Sequence, residues 1–300
     1  MPSSSSISVS SIVQYAILAA VVYVLAGAPF LSSSMGGDGV PSYSDREADA
    51  SLDSSSKTYA DLVIPAQNLS CGEHAYRGVY VVSREPLVVY IEGFLSEEER
   101  KSIIGMSEPH FAPATIWTNG QEFIDTTIRH SEKAPLPVDH DMIQCIADRA
   151  RKFQGWRPYV FVERLWAQRY TTGGHYTYHY DWATATPQTG RISSFMVYLA
   201  GDCKGGGTHF PRLAKPADKA SCQFIECDGP DGQKEGIVFK PLAGSAVYWE
   251  NIKTEHGHGY RESWHAGLPV TEGVKMGLNI WSWWQVGYVP PPPSPSGSIN

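Results

Sequence analysis

No Lys/Arg-rich run occurs in the 300 residues, and 24 basic against 31 acidic side chains leave a formal net charge of −7. Such a chain lacks the electrostatic footprint of a nucleic-acid binder or of a protein drawn to an anionic membrane face. Nucleic acid is therefore not expected as a partner. Cysteine is scarce, with five residues (Cys71, Cys145, Cys203, Cys222 and Cys227), and no two are spaced Cys-x2-Cys. That excludes the common thiolate zinc sites. In an oxidising compartment the five permit two disulfides with one thiol left over, the pairing being open. A Lys-Asp-Glu-Leu-type ending is also missing, so retention in the endoplasmic reticulum is expected to come from another feature.

That feature is a stretch without charge. From Ile12 to Leu31 the only non-aliphatic interruptions of note are Gln14, Tyr15 and Tyr23. Twenty helical residues at ~1.5 Å each span the ~30 Å of bilayer hydrocarbon. The expected organisation is a short N-terminal segment (1–11), a transmembrane signal-anchor (12–31), a flexible Ser/Gly/Asp-rich stalk (32–59), one folded unit (60–289, core motifs 160–286) and a Pro/Ser-rich tail (290–300). No Lys or Arg precedes the apolar run, which favours an anchor over a cleaved signal peptide. The alternative is secretion after cleavage at Ala26-Gly27-Ala28. The expected location is the endoplasmic reticulum membrane with the folded unit lumenal, and Asn68-Leu69-Ser70 is an N-glycosylation acceptor triplet consistent with it.

Within the folded unit, Val79–Ser83 and Leu87–Ile91 read as strands, and Ser96-Glu97-Glu98-Glu99 is a capping box opening a helix toward Met106. A second helix is expected from Val138 to Gln154, capped by Asp139 or Asp141 and ended by Gly155, with Ile143, Ile146, Ala147, Ala150 and Phe153 in one apolar stripe. Short Val/Tyr/Trp/Phe-rich stretches follow at 159–170, 175–181, 191–200, 236–240, 245–250, 263–267 and 274–284. The fold class is therefore α+β: a double-stranded β-helix, or jelly-roll sandwich, buttressed by N-terminal helices and preceded by the anchor.

Tyr176 to Asp181 alternates in character, and residues two apart on a strand share a face, so His179 and Asp181 can converge on one ion. A third ligand is expected from His265, in Ser263-Trp264-His265-Ala266-Gly267. His256 and His258 are alternatives to it, whereas His175 and His209 read as neighbouring or surface groups. Two imidazoles and one carboxylate leave adjacent positions open for a bidentate oxoacid and dioxygen, the arrangement of iron(II) oxygenases. An oxoacid needs an anchor at its far end. Lys275, ten residues after His265, supplies the cation.

In order along the chain stand Arg169-Tyr170, His179-x-Asp181, Arg191 on the strand ending in Tyr198-Leu199, Gly206-Gly207-Thr208-His209-Phe210-Pro211, Trp264-His265-Ala266-Gly267-Leu268-Pro269-Val270, Lys275 and Trp281. This series, from Arg169 to Trp281, resembles the prolyl 4-hydroxylase family of Fe(II)/2-oxoglutarate-dependent dioxygenases. The resemblance implies catalysis at His179, Asp181 and His265, and cosubstrate binding by Lys275 with Tyr170 and Thr208. It also implies peptidyl proline as substrate, O2 as oxidant and L-ascorbate as reductant. Arg191 matches a peptide-associated position, while Trp283 stands where the family usually carries a histidine. A hydroxylase of a small molecule or lipid would use the same residues, and a non-enzymatic membrane-anchored binding module would require a broken site.

Overall fold

The computed structural model describes residues 64, 69–118, 121–157, 160–183, 185, 189–253 and 257–285. The chain divides into units Met1–Ser55 and Ser56–Asn300, and all described residues belong to the second. The expected anchor, stalk and tail, and Asn68 and His256, lie outside the described residues. Among the described residues no helix is long and apolar enough to cross a membrane.

The strands in chain order are β1 (Gly78–Arg84), β2 (Leu87–Glu92), β3 (Ala112–Pro113), β4 (Ile116–Thr118), β5 (Gln121–Phe123), β6 (Arg129–His130), β7 (Glu132–Pro135), β8 (Phe161–Val162), β9 (Trp166–Tyr170), β10 (His175–His179), β11 (Thr189–Gly205), β12 (Thr208–Phe210), β13 (Ile237–Phe239), β14 (Ala246–Glu250), β15 (Ile252–Lys253), β16 (His258–Gly259), β17 (His265–Gly267) and β18 (Val270–Gln285). Two longer helices join them, α1 (Glu97–Ser107) and α2 (Asp141–Phe153). A nine-stranded sheet runs β1-β2-β14-β11-β18-β9-β7-β3, with β8 also paired to β18. A five-stranded sheet runs β13-β12-β17-β10-β6.

Strand alternation sorts the large sheet's side chains into two cores. Val89 and Ile91 of β2, Phe195, Val197 and Leu199 of β11, and Leu278 and Ile280 of β18 meet Ile103 of α1 and Ile143, Ile146 and Ala150 of α2. The intervening residues Val88, Tyr90, Tyr198, Val247 and Trp249 face Phe210, Ile237 and Phe239 of the small sheet. The molecule is thus mostly β, with helices on one face of the large sheet and the small sheet on the other. Period-2 geometry is what gives each strand two apolar faces here, because both are covered.

The local signals of the helices hold with one shift. Glu99 N–H donates to Ser96 Oγ at 3.2 Å and Ser96 N–H to Glu99 Oε2 at 2.8 Å, closing the capping box. α2 begins at Asp141, and its cap is His140, whose Nδ1 accepts from Met142 N–H at 3.3 Å, instead of either aspartate. Leu136, buried and bonded through its N–H to Leu165 O, holds the preceding chain extended. Asp141 is left in the first turn, where its charge meets the positive end of the helix. The disulfides are Cys71–Cys145, which ties the chain just before β1 to α2, and Cys222–Cys227; Cys203 is free.

Candidate metal centre

The site lies between the sheets, where β10 and β17 run antiparallel with His179 directly opposite His265. Asp181 follows two residues past His179, and the ligand atoms of His179, Asp181 and His265 all lie within 4.8 Å of one another. Each imidazole is fixed by its own backbone. His179 Nδ1 is 2.8 Å from Thr177 O and His265 Nδ1 is 2.9 Å from Ser263 O. A carbonyl only accepts, so both Nδ1 atoms carry the hydrogen and both Nε2 lone pairs are left for a metal.

Electrostatics keep the His265 lone pair available. Burial, with His179 beside it, pushes His265 down to about 4, so it is neutral at physiological pH. Burial alone would raise the Asp181 carboxyl, but His265 and His179 beside it hold it well below the usual carboxylate range. Two imidazoles with their Nε2 atoms facing inward and a carboxylate on one side of a site fit a divalent cation with open positions, and the hard oxygen donor fits iron(II) better than a thiolate-seeking ion. Among the described residues this is the one such cluster. The other described histidines do not join it. His258 is exposed on β16, and His175 is held by Gly173 O and Thr127 O. His209 Nε2–H donates to Glu235 O at 2.7 Å while its Nδ1 accepts from Tyr178 Oη at 2.5 Å.

Beside the ligands is a small pocket that Lys275 lines together with Tyr170 and Thr208. β18 pairs Lys275 with Tyr170 of β9, and the ammonium lies 5.3 Å from the Tyr170 ring centre and 5.6 Å from that of Tyr198. Lys275 is 2% exposed, and among the described residues no carboxylate pairs with it. Burial pulls its pKa down to about 8. Thr208 Oγ1 accepts from Tyr198 Oη at 2.8 Å, which frees its own hydrogen for another acceptor. Tyr170 Oη donates to Gln168 Oε1 at 2.7 Å. Gly206 is at φ 69°, and a Cβ there would stand 3.3 Å from Lys275 Cδ, so the glycine both makes the turn and leaves the lysine its channel.

Outward from the ligands opens a groove of about 440 Å³ lined in part by Arg129, Lys133, Glu163, Tyr176, Arg191 and Trp281. Arg191 is bidentate to Glu163 at 2.7 and 3.0 Å, and its guanidinium carbon is 3.9 Å from the Trp281 ring centre. Trp283 is opposite Arg191 in register and donates its indole N–H to Thr189 Oγ1 at 2.7 Å; the groove wall itself is Trp281. Sequence reasoning missed Glu163, Gln168 and Arg129. Only the period of β9 and β18 could have pointed to Gln168, which shares a face with Tyr170. Nothing local marks Glu163 or Arg129, which arrive from distant short segments.

Residues 165–283 match the model of the 2OG-Fe(II) oxygenase superfamily. Prolyl 4-hydroxylase 2 of Arabidopsis thaliana is 28% identical over 207 residues, covering 67% of this chain and 68% of that protein. Prolyl 4-hydroxylase subunit alpha-3 of Mus musculus is 27% identical over 213 residues, covering 67% of this chain and 34% of that protein. The chain thus spans about a third of the length of the mouse relative. Among solved structures, the viral collagen prolyl hydroxylase of Paramecium Bursaria Chlorella virus-1 in its 2OG complex aligns at a TM-score of 0.49 with 25% identity, covering 66% of this chain and 96% of that one. Over residues 165–283 the chain is thus similar to the 2OG-Fe(II) oxygenase superfamily, and the curated relatives named above are prolyl 4-hydroxylases.

Proposed function

We propose that the chain is an Fe(II)- and 2-oxoglutarate-dependent dioxygenase that hydroxylates peptidyl proline and releases succinate and CO2. The observation that carries this is the convergence of His179, Asp181 and His265 in front of a buried lysine with no carboxylate beside it among the described residues. His179, Asp181 and His265 would hold the iron. Lys275 would take the distal carboxylate of 2-oxoglutarate, with the free hydrogen of Thr208 as a second donor. Tyr170 can join only by turning away from Gln168, its partner in this structure. When bound, iron(II) and 2-oxoglutarate supply the oxidation, in which one atom of O2 enters a substrate C–H bond and the other leaves in succinate.

The remaining residues orient and exclude water. Phe210 and Trp249 pack on the His265 ring, with centroids 5.3 and 4.8 Å away, and shield one side of the site. The groove beside Trp281 and Arg191 would carry the peptide. Its mixed charges and aromatic walls suit an extended chain with a proline ring against an indole. The arrangement of the sheets is read as a double-stranded β-helix. L-ascorbate is assigned as the reductant that restores iron after uncoupled turnover. Residues 12–31 are proposed as an anchor in the endoplasmic reticulum membrane with the catalytic unit lumenal; the two disulfides support an oxidising compartment.

The test is succinate release by the full chain with iron(II), ascorbate, 2-oxoglutarate and proline-rich peptides, beside His265→Ala and Lys275→Ala. Peptide-stimulated turnover lost in His265→Ala is the expected result. Turnover that needs His265 but ignores peptide transfers the site to a small-molecule substrate. Iron-loaded, folded protein inert across a broad substrate panel overturns the enzyme reading.

A further inference from the structure

Asp181 has two carboxylate oxygens, and the structure treats them differently. Oδ1 lies 3.6 Å from His179 Nε2, on the side of the other ligand atoms. Oδ2 accepts from Ser194 Oγ at 2.6 Å and from Trp281 Nε1 at 3.2 Å. Ser194 in turn accepts from Asn251 Nδ2 at 2.9 Å. Both Ser194 and Asn251 are fully buried, so no water competes for these bonds. A carboxylate only accepts, which commits the single serine hydrogen to Asp181 and leaves the serine oxygen to accept from the amide. The amide therefore fixes the rotor of the hydroxyl.

This order of donors has a consequence for the metal. A carboxylate that swings to bind through both oxygens takes an additional coordination position, one that a two-histidine, one-carboxylate site must leave open for its cosubstrate and oxygen. Oδ2, held by two donors, is not free to swing. We propose that Asn251, acting through Ser194, is a positioning residue that holds Asp181 as a one-oxygen ligand. The inference rests on the metal reading given above. It adds a residue 70 positions along the chain from Asp181, delivered by the end of β14, where Asn251 N–H donates to Ile192 O and Asn251 O accepts from Tyr260 N–H.

Asn251 Oδ1 is itself buried without a hydrogen-bond partner, which makes the residue a poor choice for stability alone. An apolar side chain of similar volume relieves that orphan. Asn251→Leu therefore separates the two roles: packing is kept and the relay is cut.

The experiment is a Mn(II) titration of the full chain followed by electron paramagnetic resonance, with the thermal midpoint of the metal-free protein measured in parallel. Ser194→Ala is expected to weaken Mn(II) about 10–100-fold, the range for partners that orient a ligand. Asn251→Leu is expected to weaken it severalfold with no fall in the metal-free midpoint. In the Ser194→Ala background Asn251→Leu should cause no further loss, since the amide has no hydroxyl left to orient. Wild-type affinity in Asn251→Leu, or an equal loss with and without Ser194, overturns the proposal. Where Asn251→Leu does not fold, Asn251→Ala gives the same comparison. His265→Ala is the separate control: if it retains Mn(II), the metal site itself is wrong, whereas if it loses Mn(II) and Asn251→Leu does not, only the relay fails.

Discussion

Lys275 sits between the rings of Tyr170 and Tyr198, and burial lowers its pKa from the usual 10.5 to about 8. A depressed lysine means that the unfolded chain holds more protons than the folded one between about pH 8 and pH 10.5, so the ligand-free fold gains stability as pH rises through that window. An anionic ligand has the opposite preference, because it binds the ammonium. Affinity for 2-oxoglutarate, measured by calorimetry with Mn(II) present, is expected to be flat below pH 8 and to weaken up to tenfold per unit above it. Lys275→Met should lose both the affinity and its pH dependence while raising the unfolding free energy by roughly 1–3 kcal/mol, as an apolar replacement for a buried unpaired charge does. A Lys275→Met protein less stable than the parent would mean that the ammonium has a stabilising partner in the fold.

The elements that carry the site are largely legible, because their alternation or their apolar and aromatic content marks them as strands. Tyr176 to Asp181 alternates, 274–284 is rich in apolar and aromatic residues, and the observed β10 and β18 carry His179 and Lys275. What was not legible is short or non-local. β12, the three residues Thr208–Phe210, follows glycines that mask any strand pattern, and the segment from Ala112 to Pro135 folds as pairs of two to four residues. Ser194 and Asn251 gave no signal either: a serine inside an apolar strand looks like filler until Asp181 is placed beside it.

α1 offers the test at this scale. Glu99 closes its capping box and also pairs with Arg149 of α2, at 2.6 and 2.9 Å with both side chains largely buried. Ser96→Ala removes the cap alone and should cost about 1 kcal/mol. Glu99→Ala strands the Arg149 cation as well and should cost about 3 kcal/mol. Urea unfolding measures both. Because α1 packs on the face of the large sheet opposite the histidines, Mn(II) affinity of the folded fraction should be unchanged in either variant; a loss there would show that the helices tune the site.

The layered arrangement separates what stabilises the molecule from what acts. The helices, with Ile64 and Tyr76 ahead of β1, cover one face of the large sheet, while ligands, lysine and groove occupy the other. Cys71–Cys145 belongs to the stabilising side, and its partners are 74 residues apart, whereas Cys222–Cys227 joins residues only 5 apart. Chain-entropy arguments give about 4 kcal/mol for a loop of the first length and about 2 kcal/mol for the second. Replacing Cys71 and Cys145 together by serine should therefore lower the urea-unfolding free energy about twice as much as replacing Cys222 and Cys227. The larger loss should leave Mn(II) and 2-oxoglutarate affinity of the folded protein intact, since none of His179, Asp181, His265 and Lys275 lies on α2. Equal destabilisation by the two pairs would show that enthalpy in the folded state, not loop closure, sets their contribution; loss of Mn(II) affinity in the Cys71/Cys145 variant would show that the two faces of the sheet are coupled.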